Sequence, residues 1–177
     1  MESCNCGHVP VNKGHKFSRN QCPKIDLETK KMQSKPYASL VGSLMYATIC
    51  TRPDIAYIVG MLGRFQANPG DAHWIAAKKV MRYLQKTKSF MLVYGKCDSL
   101  ELEGYTDSDL ASDVDNRKST GGYIFMLNGG AVSWKSAKQT VIATSTMEAE
   151  FMACFEGIKQ VAWLRNFMSD LRIINSV

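Results

Sequence analysis

The stretch Leu102–Glu150, LEGYTDSDLASDVDNRKSTGGYIFMLNGGAVSWKSAKQTVIATSTMEAE, decides how this chain reads. Acidic residues stand at both of its ends. Asp107 closes an apolar strand, with Asp109 two positions on, and Glu148 and Glu150 open a long helix. Between them the alternating runs at 123–127 and 131–134 form a hairpin across Asn128-Gly-Gly130, residue types that tolerate the positive φ of a tight turn. Hard divalent cations need several oxygen ligands brought together from separate elements, and this layout supplies carboxylates from a strand end and a helix start. Asp-Ser-Asp after a strand is also an ordinary turn pattern. The helix, capped by Thr144-Ser-Thr146 and running to about Leu171, shows an apolar stripe of Met147, Phe151, Cys154, Phe155, Ile158 and Ala162. Glu148 and Glu150 fall at opposite edges of that stripe and Glu156 points to solvent, so spacing leaves the two glutamates equal.

Further short strands are expected at 90–94 and 100–106, and Thr140 to Ala143 could extend the sheet. Upstream the pattern is helical. Pro36 opens a helix with Tyr37, Leu40, Val41, Leu44, Met45 and Thr48 on one face. Thr51-Arg-Pro-Asp54 restarts the chain, with Thr51 as a cap and Pro53 in the first turn, into a helix through Ile55, Ile58, Val59, Leu62 and Phe65. Asn68-Pro-Gly-Asp71 is a turn offering Asp71 as cap for a third helix over about 72–87, buried through Trp74, Ala77, Val80, Met81 and Leu84. Lys78, Lys79, Arg82 and Lys86 cluster on its opposite face, where they can meet phosphates or simply solvate the surface.

Residues 1–35 show neither period and read as an extended arm or linker. Their Cys4, Cys6, His8, His15 and Cys22 match no standard zinc spacing. The organisation expected is therefore an arm (1–35), a helical segment (36–88) and a strand-and-helix domain (89–177), in the α+β class.

Composition bounds the function classes. With 45% hydrophobic and 21% charged residues in a 177-residue chain, a sizeable core can form. The net charge of +6 is uneven: residues 1–90 carry +9 and residues 91–177 carry −3, which suits a protein that grips a polyanion with one half and gathers carboxylates in the other. No apolar run reaches the roughly 20 residues of a membrane helix and the N-terminus lacks a signal-peptide core, so an intracellular protein without membrane association is expected. The six cysteines then read as reduced thiols, with Cys50 and Cys154 in the core. All three histidines precede residue 90, and neither a Gly-x-Ser-x-Gly elbow nor a phosphate-binding Gly-rich loop occurs, which disfavours hydrolase triads and nucleotide binding.

The blocks PYASLVGSLMYATICTRPDIAYIVGMLGRF, NPGDAHWIAAKKVMRYLQKT, GYTDSDLASDVDNRKSTGGYIFMLNGGAVSWKSAKQT and ATSTMEAEFMA resemble, in order, consecutive blocks of the Pol polyprotein of copia-type LTR retrotransposons, especially the plant Tnt-like group. The resemblance implies that residues from about Pro36 to Thr87 correspond to the end of reverse transcriptase and its connection. Residues from about 100 onward would then open a ribonuclease H domain: an antiparallel three-strand meander, a helix, then parallel strands. It implies that Asp107 and Glu150, the latter in a Glu-x-x-Ala pattern, are catalytic metal ligands for Mg²⁺ or Mn²⁺, with Asp109, Asp113 and Glu148 at most accessory. Arg117, Lys118 and Ser119 would contact the backbone of an RNA–DNA hybrid, and the remaining Pol segments would be partners. The family's later Asp-bearing strand and final Asp are not found before Val177. The expectation is an incomplete ribonuclease H-like fold with an open sheet edge and weak or no nuclease activity. Its rival is a noncatalytic module, derived from a retroelement, that binds nucleic acid or protein.

Overall fold

A computed structural model describes residues 7–12, 14–95 and 101–171. Cys4 and Cys6 lie outside them. The chain forms two compact units, Met1–Met91 with Asp113–Asn116, and Leu92–Ser112 with Arg117–Val177.

The first unit is helical: α1 (Asp26–Gln33), α2 (Tyr37–Cys50), α3 (Ala56–Gly63) and α4 (Asp71–Lys86), with short 3-10 turns at Arg19–Gln21 and Pro53–Ile55. Its core is the set of large side chains that the 3.6-residue period singles out. Tyr37, Val41 and Leu44 come from α2, Ile55, Ile58, Val59, Leu62 and Phe65 from the α3 region, and Ala77 and Val80 from α4. Trp74, Met81 and Leu84 pack at the edge of this core. The Tyr37 hydroxyl donates to the Leu62 carbonyl at 2.8 Å, so this inward-pointing polar atom is satisfied.

Three expectations for this unit need correction. Residues 26–33, expected to be extended, form α1, and Phe17 is buried in the core. A polar, weakly periodic helix of eight residues carries too little apolar signal to read. Thr51 makes no cap; Arg52 pairs instead with Asp54 through Nε and Nη2 at 2.9 and 2.7 Å. Asp71 is not the cap of α4 either. Gly70 holds that position, its N–H donating to His73 Nδ1 at 2.9 Å, while Asp71 pairs with Lys31 and Lys35. A Cβ at Gly70 would lie 1.8 Å from the Gln21 carbonyl oxygen, so close backbone approach requires glycine here.

The second unit is an antiparallel meander in the order β1 (Leu102–Ser108), β2 (Thr120–Leu127), β3 (Gly130–Lys138), followed by α5 (Thr146–Asp170). Asn128 and Gly129 close the β2–β3 hairpin with φ of 50° and 77°, the positive pair a two-residue turn demands. Together with the helical unit this makes the chain α+β. Residues 90–94 and Thr140 to Ala143 are not strands. In the first segment Tyr94 is used as a side chain, its hydroxyl donating to the Ala131 carbonyl at 2.9 Å.

The packing of α5 departs most from expectation. Of the predicted inward stripe, Met147, Phe151, Phe155, Ile158 and Ala162 are exposed, Met147 at 79% and Phe151 at 70%. Cys154 is exposed as well, and so is Cys50 in α2. The buried face is instead Ala149, Ala153, Gly157, Leu164 and Met168. Small residues let the helix lie close on β1 and β2: a Cβ at Gly157 would come within 2.6 Å of Thr106 Cγ2. Proximity to the sheet, rather than side-chain size, selected the buried face.

Candidate functional site

β1 and α5 run antiparallel, which sets the site. Thr106 Oγ1 donates to Cys154 Sγ at 3.6 Å, and Ser108, two residues further along, is level with the first turn of α5. Thr106 and Ser108 therefore face the helix. Strand alternation aims exposed Asp107 to the other face, opposite Gly122 of β2.

Asp109 is structural. Its N–H donates to the Thr120 carbonyl at 3.1 Å and its Oδ1 accepts from the Thr120 N–H at 2.8 Å, which laces the end of β1 to β2. Its Oδ2 is buried without a partner among the described residues. Asp113, 7% exposed in the first unit, accepts from the Asp115 and Asn116 N–H groups at 3.0 and 3.3 Å and pairs with Arg64 at 3.5 Å.

The start of α5 separates the two glutamates that spacing left equal. Ser145 Oγ accepts from the Glu148 N–H at 3.2 Å, while the Glu148 carboxylate accepts from both the backbone N–H and the hydroxyl of Thr144, each at 2.7 Å. This is a variant of the capping box in which the carboxylate reaches Thr144, one residue before the N-cap Ser145. The backbone bond first, then the hydroxyl, holds the Glu148 carboxyl below its ordinary range. Glu148 is thereby occupied in starting the helix. Glu150 is exposed and lies one turn before Cys154 on the face that meets Thr106. Asp107 and Glu150 therefore lie at the same end of the β1–α5 pair, with the Asp107 side chain on the sheet face away from α5.

One residue at this end carries no sequence signal: Gln139, just past β3. Its N–H donates to the Ser119 carbonyl at 2.8 Å, and its side-chain Nε2 donates to Ser108 Oγ at 3.1 Å and to the Ala149 carbonyl at 2.8 Å. A lone glutamine after a strand has no pattern by which to find it.

The basic residues divide between the units. In the first, Lys78 is exposed with its Nζ 5.7 Å from the Trp74 ring centroid. Lys79 and Lys86 are engaged by Asn12 and His8, and the Arg82 carbonyl accepts from the Gly7 N–H. The segment from Gly7 to Asn12 thus lies along part of the predicted basic face. In the second unit Arg117 is exposed at φ 57°, and Lys118 Nζ donates to the Thr140 carbonyl. Ser119 is 0% exposed, its Oγ accepting from the Ala111 N–H at 3.0 Å. Burial removes Ser119 from any surface that could meet a nucleic-acid backbone.

Among the described residues no three His, Cys, Asp or Glu side chains converge as a metal-binding group. This applies to His8, His15 and Cys22 as well as to the acidic residues. No helix among them is long and apolar enough to cross a membrane.

Comparison with known proteins shows which family the chain resembles. The chain is 50% identical over 159 residues to the retrovirus-related Pol polyprotein from transposon TNT 1-94 of Nicotiana tabacum, matching 89% of this chain and 12% of that protein. It is 37% identical over 153 residues to the Pol polyprotein from transposon RE2 of Arabidopsis thaliana, 85% of this chain and 10% of that one. The chain belongs to the copia-type retrotransposon Pol family. This Pol-family chain spans about a tenth of the length of those polyproteins. It is also 47% identical over 133 residues to the secreted RxLR effector protein 161 of Plasmopara viticola, matching 75% of this chain and 94% of that protein. No family model and no solved structure matches it.

Proposed function

We propose that this chain is the part of a copia-type Pol polyprotein in which a helical segment from the end of reverse transcriptase precedes the opening of a ribonuclease H-type domain. The parent reaction is hydrolysis of the RNA strand of an RNA–DNA hybrid inside the cell, with Mg²⁺ or Mn²⁺. The observation that carries this reading is the antiparallel meander followed by a long helix, with Asp107 and Glu150 at one end of the β1–α5 pair. Glu148, bound to Thr144, is not a ligand in this reading.

Both carboxylates are exposed at that end but start from opposite faces of the sheet, so a shared ion requires the Asp107 side chain to turn round the edge strand β1. Two oxygen donors then suit a single hard cation that keeps most of its water. They do not suit the two ions about 4 Å apart of in-line phosphodiester hydrolysis. An ion held by Asp107 and Glu150 would supply charge neutralisation to a phosphodiester. Lys78 in the first unit and Arg117 in the second, both exposed, would bind phosphate by charge. Lys79, Lys86 and Lys118 would add to this only after releasing the partners their side chains hold, whereas the bond at Arg82 is made by its backbone carbonyl.

The chain alone is therefore a weak nuclease or none. A labelled RNA–DNA hybrid tests this directly. Binding should weaken steeply with salt, and cleavage with Mg²⁺ or Mn²⁺ should be slow or absent. Robust turnover lost on Asp107→Asn would overturn the incomplete-site reading, and salt-insensitive binding would overturn the nucleic-acid reading. A second reading, a noncatalytic module, draws on one observation: the Plasmopara viticola protein consists almost wholly of the matching segment. That reading predicts hybrid binding unaffected by metal.

A further inference from the structure

We propose that Gln139 is the positioning residue that fixes the Asp107-bearing end of β1 against the Glu150-bearing turn of α5; this rests on the metal-site reading above. An amide nitrogen has two hydrogens, and Gln139 spends both on this junction. One goes to Ser108 Oγ at 3.1 Å, beside Asp107, and the other to the Ala149 carbonyl at 2.8 Å, beside Glu150. The bridge joins elements of different kinds. Ser108 belongs to a strand whose side chain in turn donates to the Asp109 carbonyl at 3.0 Å, while Ala149 is in the first turns of a helix, where the carbonyl is otherwise spent on the helix ladder.

The bridge is itself held. Gln139's own N–H is fixed on the Ser119 carbonyl at 2.8 Å, and its side chain passes over Gly121, where a Cβ would sit 3.3 Å from both Gln139 Nε2 and Ala153 Cβ. Its Oε1 is buried with no partner among the described residues. Leaving a buried carbonyl unsatisfied is costly, so the side chain is held for its two donors rather than for full pairing. Packing alone would be served by an apolar side chain of the same shape. Groups that orient metal ligands from behind typically change metal affinity 10–100-fold when removed.

The test uses Gln139→Met, which keeps length and volume but has no donor, with Ser108→Ala removing the acceptor on the strand side. In the full chain, with the six native cysteines replaced by serine or alanine, nitroxide labels at positions 107 and 150 report their separation by dipolar electron resonance. A narrow distribution is expected with Gln139. Gln139→Met and Ser108→Ala should each broaden or shift it at temperatures where circular dichroism shows the chain folded. An unchanged distribution in both variants overturns the proposal. On the unlabelled chain, Gln139→Met should weaken Mn²⁺ binding about tenfold. If the native chain takes up no Mn²⁺ while the separation still depends on Gln139, the metal-site reading fails and the positioning role stands.

Discussion

His73 makes the stability of the helical unit depend on pH in a calculable way. Its ring is 0% exposed, stacked on Phe65 with centroids 4.0 Å apart and close to Phe17 at 5.5 Å. Nδ1 accepts the Gly70 N–H, so the proton of the neutral ring sits on Nε2, which has no partner among the described residues. Burial lowers the pKa from 6.5 to about 4, against a smaller opposing pull from Asp115. Protonation would also place a hydrogen on Nδ1, facing the Gly70 donor, and remove the cap of α4. Because the folded pKa is depressed, the unfolded chain binds the extra proton first. The contribution is fully present above pH 6.5 and is lost as pH falls from there through about 4. Linkage between those values gives about 2 kcal/mol less stability at pH 5 than at pH 7. For a unit of this size that corresponds to a melting temperature lower by roughly 8–16 °C. Thermal melts followed by circular dichroism across pH 5–7 would show the slope, with His73 titration read by NMR. In His73→Gln the amide oxygen can still accept from Gly70 but does not titrate, so most of the slope should vanish. An equal slope in His73→Gln, or a His73 that titrates near 6.5 in the folded chain, would refute the reasoning.

Two further predictions concern packing. Arg52 bonds both Asp54 oxygens and reaches Thr87 Oγ1 at 2.6 Å, while the Tyr83 hydroxyl donates to Asp54 at 2.7 Å. Arg52→Ala should cost about 2 kcal/mol in urea unfolding, and a double cycle with Asp54→Ala should be non-additive. On α5, Phe155→Ser should change stability by less than about 0.5 kcal/mol in urea unfolding, whereas Ala153→Leu should cost about 1–3 kcal/mol. The reverse order would mean that α5 packs by its large residues after all.

Much of the helical unit was legible because its core is built from large aliphatic residues at helical spacing. Ile55, Ile58, Val59, Leu62 and Phe65 are all buried as the period requires. The same rule failed on α5, since periodicity locates an apolar face without saying whether that face or a small-residue face meets the sheet. Ala149, Ala153 and Gly157 attract no attention on a hydropathy scale, yet they permit the close approach. The hairpin was legible from Asn128-Gly129, whose backbone requirement is local. The cap of α4 was displaced by one residue because His73 reaches back to Gly70, a bond no propensity encodes. At the candidate site, the choice of Asp107 with Glu150 comes from the family resemblance rather than from spacing. Their support was not legible, because Gln139 acts through contacts with Ser108 and Ala149, 31 and 10 residues away in sequence.

The central claim is that Asp107 and Glu150 form one cation site while Glu148 serves the helix cap. Electron resonance titration of the chain with Mn²⁺ tests it most directly. Weak binding of a single ion is predicted, lost in Asp107→Asn and in Glu150→Gln and retained in Glu148→Gln. Binding that survives both of the first two substitutions, or that disappears only with Glu148→Gln, would contradict it.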